Sequence, residues 1–192
     1  MTNSNHTEIE RRFLLDKQTI ELIKDFPNLG IQQGYLVSTP DKQTLRVRVV
    51  TEFTKSGKSG EKKGTECFLT YKSGTGIQRK EVEEKITLDM ANSLLDMSQF
   101  VIWKRRFCVA GWELDYFMGL FQDFALAEKE LKSVDEEIMP PQGITLGREV
   151  TDILTNYHLG LIALQVRRSS NPLDSELAMR LLQDHLAGKD VL

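Results

Sequence analysis

The residues of this chain that could do chemistry are charged side chains that recur at every second position of strand-like segments. Some of these pairs hold only carboxylates and others hold only cations. The carboxylate pairs are Glu8/Glu10, Glu113/Asp115 and Glu128/Glu130, and the cation pairs are Arg46/Arg48 and Lys104/Arg106. Clustered carboxylates favour a hard divalent cation such as Mg²⁺ or Mn²⁺, whereas clustered Arg and Lys favour a polyanion. A site that holds both sets therefore suits a metal-complexed polyphosphate.

The segments that carry these residues alternate apolar and polar positions and are rich in β-branched and aromatic residues, which predicts strands. The predicted strands cover residues 8–15, 31–37, 44–51, 65–72, 77–86, 100–109, 111–117 and 125–132. Apolar residues at helical spacing predict helices over residues 19–26, 89–97, 149–162 and 175–186. Asp174 or Ser175 is the expected N-cap of the last helix.

The charged rows of these strands allow two interpretations. Because successive side chains of a strand point to opposite faces, each charged row shares one face and the apolar row shares the other. The sheet is either open, with a solvated charged face, or closed into a barrel whose charged rows point into the lumen. In the barrel, large apolar residues pack outward against the helices, among them Trp103, Phe107, Trp112 and Tyr116. A surface built for solubility intersperses the two signs of charge, so the segregated rows favour the barrel.

The amino-acid composition argues against some classes of function. The chain has 192 residues, which corresponds to one ordinary domain, and its 25 Lys and Arg against 28 Asp and Glu give a net charge of −3. That balance argues against a protein whose whole surface binds nucleic acid or membrane. The two cysteines, Cys67 and Cys108, lack a metal-type spacing, and no signal peptide or membrane-spanning stretch is visible. A reduced, cytoplasmic protein is therefore expected.

Residues 8–14, with the sequence Glu-Ile-Glu-Arg-Arg-Phe-Leu, resemble the ExExK opening of the CYTH superfamily, also called the triphosphate tunnel metalloenzymes. The resemblance continues in order and at the expected intervals as far as residue 151. The further matching segments are Gln33-Gly34-Tyr35-Leu36, Leu45-Arg46-Val47-Arg48, Phe68-Leu69-Thr70-Tyr71-Lys72, Arg79-x-Glu81-x-Glu83, Lys104-Arg105-Arg106-Phe107, Trp112-Glu113-Leu114-Asp115, Ala127-Glu128-Lys129-Glu130-Leu131 and Leu146-Gly147-Arg148-Glu149-Val150-Thr151.

The resemblance implies an α+β fold, in which an eight-stranded antiparallel closed β-barrel forms the triphosphate tunnel and helices flank it. The tunnel domain is expected over residues 6–165, and a C-terminal helical extension over residues 166–192 is expected to pack on the barrel. The compact bacterial branch, which opens with a similar sequence, implies a metal-dependent hydrolase of inorganic triphosphate or a related small triphosphate. The alternatives are a class IV-like adenylate cyclase and a non-catalytic module that binds triphosphate or polyphosphate.

The resemblance also implies a role for each matched residue. The metal ligands for Mg²⁺ or Mn²⁺ are Glu8, Glu10, Asp115, Glu128 and Glu130. The residues expected to bind the phosphates are Arg46, Arg48, Lys72, Arg79, Lys104 and Arg106. The residues expected to take part in catalysis are Glu10, Arg12 and Tyr35. The expected partner is a small-molecule triphosphate, with neither nucleic acid nor membrane, and a homodimer is left open.

Two departures from the family pattern affect these expectations. The Lys of the ExExK motif is replaced by Arg12. In the small triphosphatases that Lys pairs with a Tyr, matched here by Tyr35, and helps to present water to the substrate. A guanidinium stays protonated and is bulkier than an amine, so it handles protons less well. The second departure follows Thr151, because residues 152–164 do not match the usual ending of the family.

Overall fold

The elements of the computed structural model follow the predicted order, with one more strand than predicted. The structure describes residues 6–23, 26–38, 43–54, 61–74 and 78–191. The strands are β1 (His6–Leu15), β2 (Asn28–Ser38), β3 (Thr44–Phe53), β4 (Lys62–Ser73), β5 (Gln78–Ile86), β6 (Val101–Val109), β7 (Trp112–Phe117), β8 (Ala125–Glu130) and β9 (Leu146–Glu149). The helices are α1 (Lys17–Ile23), α2 (Leu88–Met97), α3 (Asn156–Arg167) and α4 (Ser175–Leu186), and a 3₁₀ turn spans Gly119–Phe121.

Strand β1 closes the sheet into a barrel because it pairs along both of its edges. The strand order is β5-β4-β3-β2-β6-β7-β8-β1, and β1 also pairs with β5. Residues 10–14 of β1 pair with β8 and residues 6–9 pair with β5, in both cases antiparallel. The prediction of an eight-stranded antiparallel closed β-barrel with flanking helices is therefore confirmed, and the open sheet is excluded.

The region after residue 145 differs most from the prediction. Strand β9 was not predicted, because its four residues, Leu-Gly-Arg-Glu, include no β-branched or aromatic side chain. It pairs with the end of β1 at Phe13 and Leu15. The helix predicted over residues 149–162 is wrong at both ends, since α3 spans Asn156–Arg167. Thr155 sets its start, because the Thr155 hydroxyl accepts from the His158 N–H and the His158 ring accepts from the Thr155 N–H.

The remaining predicted boundaries agree with the structure to within three residues. The predicted N-cap of α4 is confirmed at Asp174, whose side chain accepts a hydrogen bond from the Leu177 N–H at 2.8 Å. Residues 24–25 of one predicted helix and residue 77 of one predicted strand lie outside the described residues. Among the described helices, none has the length and apolar character needed to cross a membrane.

Helices α1 and α2 cover two patches of the outer face of the barrel. Ile23 of α1 belongs to an apolar cluster with outward-facing residues of β1, β6, β7 and β8, and Ala91 of α2 belongs to a second cluster with residues of β3 and β4. Phe107 and Trp112 are buried in the first cluster, as the outward packing predicts. The prediction is wrong for Trp103, which is 51% exposed.

Helices α3 and α4 close one end of the barrel. At this end the lumen-facing residues of the strands are apolar, and they form the largest core cluster together with both helices. Members from the strands include Tyr35, Ile102, Phe117 and Leu126, and members from the helices include Leu159, Ile162, Ala178 and Leu182. Burial of these side chains is the main favourable contribution to stability at this end. The division of the chain at residue 165 stays a prediction.

We expect substitution of Gly160, in the middle of α3, by alanine to destabilise the protein. A Cβ atom at Gly160 would overlap the ring of Phe100, which is itself buried, so helix and ring must separate. Overpacking of this kind costs roughly 1–3 kcal/mol. The free energy of unfolding, measured by chemical denaturation, should fall by this amount in Gly160→Ala. Gly64→Ala serves as the matched control, because a Cβ atom there meets nothing within 4 Å. Equal stability of the two variants would contradict the packing described.

Candidate active site

The lumen of the barrel contains a cavity of about 1190 Å³, and half of the residues that line it are charged. Most of the site residues predicted from the sequence line this cavity. They are Glu8, Glu10, Arg12, Tyr35, Arg46, Arg48, Lys72, Arg79, Arg106, Glu128 and Glu130. The other two predicted residues, Lys104 and Asp115, lie beneath the cavity surface, where their side chains are 2% and 0% exposed.

The sheet order separates the two signs of charge around the lumen. Strands β7, β8 and β1 are neighbours in the ring and carry most of the carboxylates that line the cavity, whereas the charged cavity-lining residues of β3 and β4 are the cations Arg46, Arg48 and Lys72. Strand β5 carries both signs and links β4 to β1. A carboxylate wall therefore faces a cationic wall across one enclosed space.

Glu8 joins these two walls. The Lys72 ammonium donates to both Glu8 oxygen atoms at 2.9 and 2.7 Å and also lies 2.8 Å from Glu81. The Arg79 guanidinium lies 3.3 Å from Glu8 and also contacts Glu10. Burial alone would raise the pKa of Glu8, but the positive charges of Lys72 and Arg79 outweigh it and lower that pKa to about 2. Glu8 is therefore ionised at neutral pH.

Arg12 lies between two carboxylates of the same wall. Its Nη2 donates to Glu10 at 2.6 Å, and its Nε donates to Glu128 at 3.0 Å. The Arg12 side chain is only 6% exposed. Burial and the nearby charge of Glu128 raise the pKa of Glu10 despite Arg12. Burial would also raise the pKa of Glu128, but the positive charges of Lys104, Arg106 and Arg12 outweigh it and hold that pKa well below the ordinary value. Two carboxylates thus share a single buried guanidinium.

Asp115 holds two of the three cations of β6 in place, Lys104 and Arg106. Lys104 contacts Asp115 Oδ2, and Arg106 donates to the same carboxylate through Nε and Nη2, each at 2.7 Å. The Arg106 Nη2 also donates to Glu128 at 2.6 Å. Burial lowers the pKa of Lys104, whereas Asp115 and its neighbours outweigh burial and raise the pKa of Arg106. Asp115 thereby presents Arg106 to the cavity with a fixed orientation, while Lys104 lies behind on the same carboxylate.

The cationic wall is incompletely satisfied. Arg46 reaches Glu81 at 3.4 Å, and Arg48 contacts Glu83, which also accepts from the Thr70 hydroxyl at 2.7 Å. Within the described part of the chain, the Nε atoms of Arg46, Arg48 and Arg79 are buried without a hydrogen-bond partner. A buried donor without an acceptor is costly, so an anion that enters between these guanidinium groups would restore the missing hydrogen bonds.

Tyr35 lies at the boundary between the charged lumen and its apolar end. Its hydroxyl accepts a hydrogen bond from the side-chain amide of Gln33 at 2.9 Å, and its ring packs against Phe100 and Tyr157. Burial raises the pKa of Tyr35, so the hydroxyl stays protonated at neutral pH. It can therefore donate a hydrogen bond into the cavity.

Several cavity residues were not predicted as site residues. They are Glu81, Glu83, Glu113, Thr151, Asn156, Tyr157, His158 and His185. The period-two pattern already contained Glu81, Glu83 and Glu113, since each follows or precedes a predicted residue on the same face of its strand. Thr151 and the residues of α3 and α4 carry no such signal, because their place at the lumen depends on how the C-terminal helices dock.

The carboxylate wall has the donor chemistry of a divalent-cation site. Glu8, Glu10 and Glu128 supply hard oxygen ligands, and the negative charges of Glu8 and Glu128 disfavour ionisation of Glu10. Among the described residues, no group of three or more His, Cys, Asp or Glu is arranged to hold a metal, and Arg12 and Arg79 lie between the carboxylates. The residues fit a divalent cation by their chemistry, provided that these guanidinium groups give way.

The chain is similar to two curated proteins that are each called inorganic triphosphatase. The protein from Acetivibrio thermocellus is 30% identical over 151 residues, which cover 75% of this chain and 85% of the relative. The protein from Nitrosomonas europaea is 31% identical over 170 residues, which cover 76% of this chain and 90% of the relative. A solved crystal structure of an inorganic triphosphatase is 27% identical, covering 80% of this chain and 94% of that chain, with a TM-score of 0.46. No protein-family model matches the chain.

Both curated relatives align with this chain over most of their own length. The aligned part of this chain folds as a closed barrel with a charged lumen. The chain therefore belongs to the CYTH superfamily of triphosphate tunnel metalloenzymes, within the family of the inorganic triphosphatases.

Proposed function

We propose that this protein hydrolyses inorganic triphosphate to pyrophosphate and phosphate inside the lumen of the barrel, with a divalent metal ion. The observation that carries the proposal is the cationic wall, where the buried Nε atoms of Arg46, Arg48 and Arg79 lack acceptors in the described part of the chain. Kinship with two proteins called inorganic triphosphatase supports the same reaction. A cavity of about 1190 Å³ has room for so compact a polyanion.

Substrate binding is assigned to Arg46, Arg48, Lys72 and Arg79, with Arg106 on the opposite side of the lumen. Arg can bind a phosphate group through two nitrogen atoms, and the low dielectric of an enclosed lumen strengthens each such contact. Phosphate oxygens would replace the carboxylate partners of these cations, such as Glu81 and Glu83. Lys104 contributes through the fixed position of Arg106.

Metal binding is assigned to Glu8, Glu10, Glu128 and Glu130, with a contribution from Asp115. Hard oxygen ligands suit Mg²⁺ or Mn²⁺. When bound, the ion would neutralise phosphate oxygens and lower the pKa of a coordinated water. Glu10 and Glu128 lie closest to the buried side of the lumen, and Glu130 lies at its exposed side.

The catalytic residues of the proposal are Arg12, Tyr35 and Glu10. Arg12 carries positive charge beside the phosphates and stabilises the charge that develops on the leaving group. Tyr35, which keeps its proton, donates a hydrogen bond to a phosphate oxygen or to the attacking water. The pKa of Glu10 is raised, mainly by burial, so this carboxylate can accept a proton more readily than an exposed glutamate.

The remaining assignments concern the cellular compartment and the division of the chain. Cys67 and Cys108 are both free, which agrees with a reduced compartment, and we assign the protein to the cytoplasm. We retain the tunnel domain over residues 6–165 and the extension over residues 166–192 as the proposed division of the chain.

Phosphate release should be fastest with inorganic triphosphate. The test compares triphosphate, pyrophosphate, ATP and thiamine triphosphate, each with Mg²⁺, Mn²⁺ and Ca²⁺, in a colorimetric phosphate assay with parallel chromatography of the ATP products. Cyclic AMP as the main product from ATP would overturn the proposal in favour of an adenylate cyclase. Tight triphosphate binding without turnover over pH 7–10 would overturn it in favour of a binding module.

Glu10→Gln and Glu130→Gln should each reduce metal-dependent turnover, on the order of 100-fold or more, because each removes a negative ligand near the reacting phosphates. The measurement is kcat with triphosphate at saturating Mg²⁺ or Mn²⁺, together with circular dichroism to verify folding. Glu66→Gln is the matched control, since Glu66 pairs with Lys85 on the exposed surface. A folded variant with unchanged kcat would remove that residue from the metal site.

Arg48→Gln should lower kcat/KM for triphosphate by roughly 10- to 100-fold, because a hydrogen bond to a charged group contributes about 1.5–3 kcal/mol. Most of the change should fall on KM, since Arg48 contacts the polyanion rather than the reacting centre. Lys63→Gln removes a cation of the neighbouring strand that pairs with Glu52 on the exposed face, and its kinetics should equal those of the unmodified protein. Equal kcat/KM in Arg48→Gln would exclude Arg48 from the substrate site.

A further inference from the structure

We propose that Arg12 is a resident counter-cation that competes with a divalent metal ion for Glu10 and Glu128, and so determines the metal affinity of this protein. The inference deepens the proposed function, on which it rests, because it concerns metal binding at the same site. It follows from the one site residue that departs from the ExExK pattern.

The geometry leaves no free approach between the two carboxylates. Arg12 Nη2 lies 2.6 Å from Glu10 Oε2 and Arg12 Nε lies 3.0 Å from Glu128 Oε1, so one guanidinium spans both groups. The three side chains are 6–10% exposed. An ion that binds between Glu10 Oε2 and Glu128 Oε1 must therefore displace Arg12, while Arg79 on Glu10 and Arg106 on Glu128 add to the competition.

The backbone fixes the position from which Arg12 acts. Its N–H donates to the Thr151 hydroxyl at 3.0 Å, and its carbonyl accepts from the Val150 N–H at 2.8 Å. On the other edge of the strand, Arg12 is paired directly with Glu128 in the β1–β8 register. A side chain held in this way returns to the two carboxylates whenever the metal leaves.

The type of cation matters because the two contacts use different nitrogen atoms. The planar fork of Arg presents separate donors to separate carboxylates, whereas the ammonium of Lys is a single point on a flexible stem. A lysine at position 12 can contact one carboxylate and leave the other with a single competing cation, which is Arg79 for Glu10 and Arg106 for Glu128. Arg12 therefore suppresses metal binding more than a lysine would, because one guanidinium occupies an oxygen atom of each carboxylate.

The test measures Mn²⁺ binding in the absence of substrate, by isothermal titration calorimetry and by the shift of the thermal unfolding midpoint. The proteins are the unmodified chain, Arg12→Gln, Arg12→Lys and Arg11→Gln. Arg11 is the matched control, because it is the next residue of β1, faces outward and pairs with Glu149. Arg12→Gln should bind Mn²⁺ on the order of tenfold more tightly or better, with Arg12→Lys intermediate and Arg11→Gln unchanged.

The unmodified protein should also gain less thermal stability from Mn²⁺ than either Arg12 variant. If Arg12→Gln does not fold without metal, Arg12→Lys alone decides the outcome. Affinity of the folded Arg12 variants for Mn²⁺ equal to or below that of the unmodified chain, or absence of binding in all proteins, overturns the proposal. Failure of the hydrolysis proposal is recognised separately, by absence of phosphate release from the unmodified protein, whatever the affinities are.

Discussion

The mutual neutralisation of opposite charges in one enclosed lumen is the interaction on which the rest of this structure depends. Taking an isolated ion out of water costs roughly several kcal/mol, even after the protein relaxes. None of these charged residues could therefore be buried without partners. The carboxylates of β1, β7 and β8 and the cations of β3, β4 and β6 meet this requirement together. An anion or a metal ion that enters this lumen would therefore exchange one charged partner for another.

Closure of the barrel brings the carboxylates and the cations that exchange partners to one place. Strand β1 contributes Glu8, Glu10 and Arg12 to the lumen and is also the strand that joins β5 to β8. The same ten residues therefore close the fold and carry the carboxylates beside the cationic wall. At the other end, α3 and α4 bury the apolar part of the lumen, which excludes water from one side and lowers the effective dielectric constant around the charges.

The alternation of charged and apolar residues was enough to predict eight strands and the direction of their side chains, because strand geometry fixes which positions share a face. It could not predict β9, whose four residues are held by pairing with β1 and not by their own propensity. Nor could it predict that Asp115 lies beneath the surface while Glu113, two residues away, lines the cavity. That difference arises from the depth of each position in the barrel, which depends on strand register.

Because the charges of the lumen are paired with one another, an incoming anion and an incoming cation meet different surroundings. The orphaned Nε atoms of the cationic wall favour an incoming anion, whereas the guanidinium of Arg12 opposes an incoming cation at Glu10 and Glu128. Under the proposed function, a triphosphate would draw Arg46 and Arg48 away from their carboxylates, and this would add uncompensated negative charge to the lumen. That negative charge would attract the divalent ion that Arg12 opposes when no triphosphate is bound. Anion and metal should therefore bind with positive cooperativity, because each supplies the counter-charge that the other displaces.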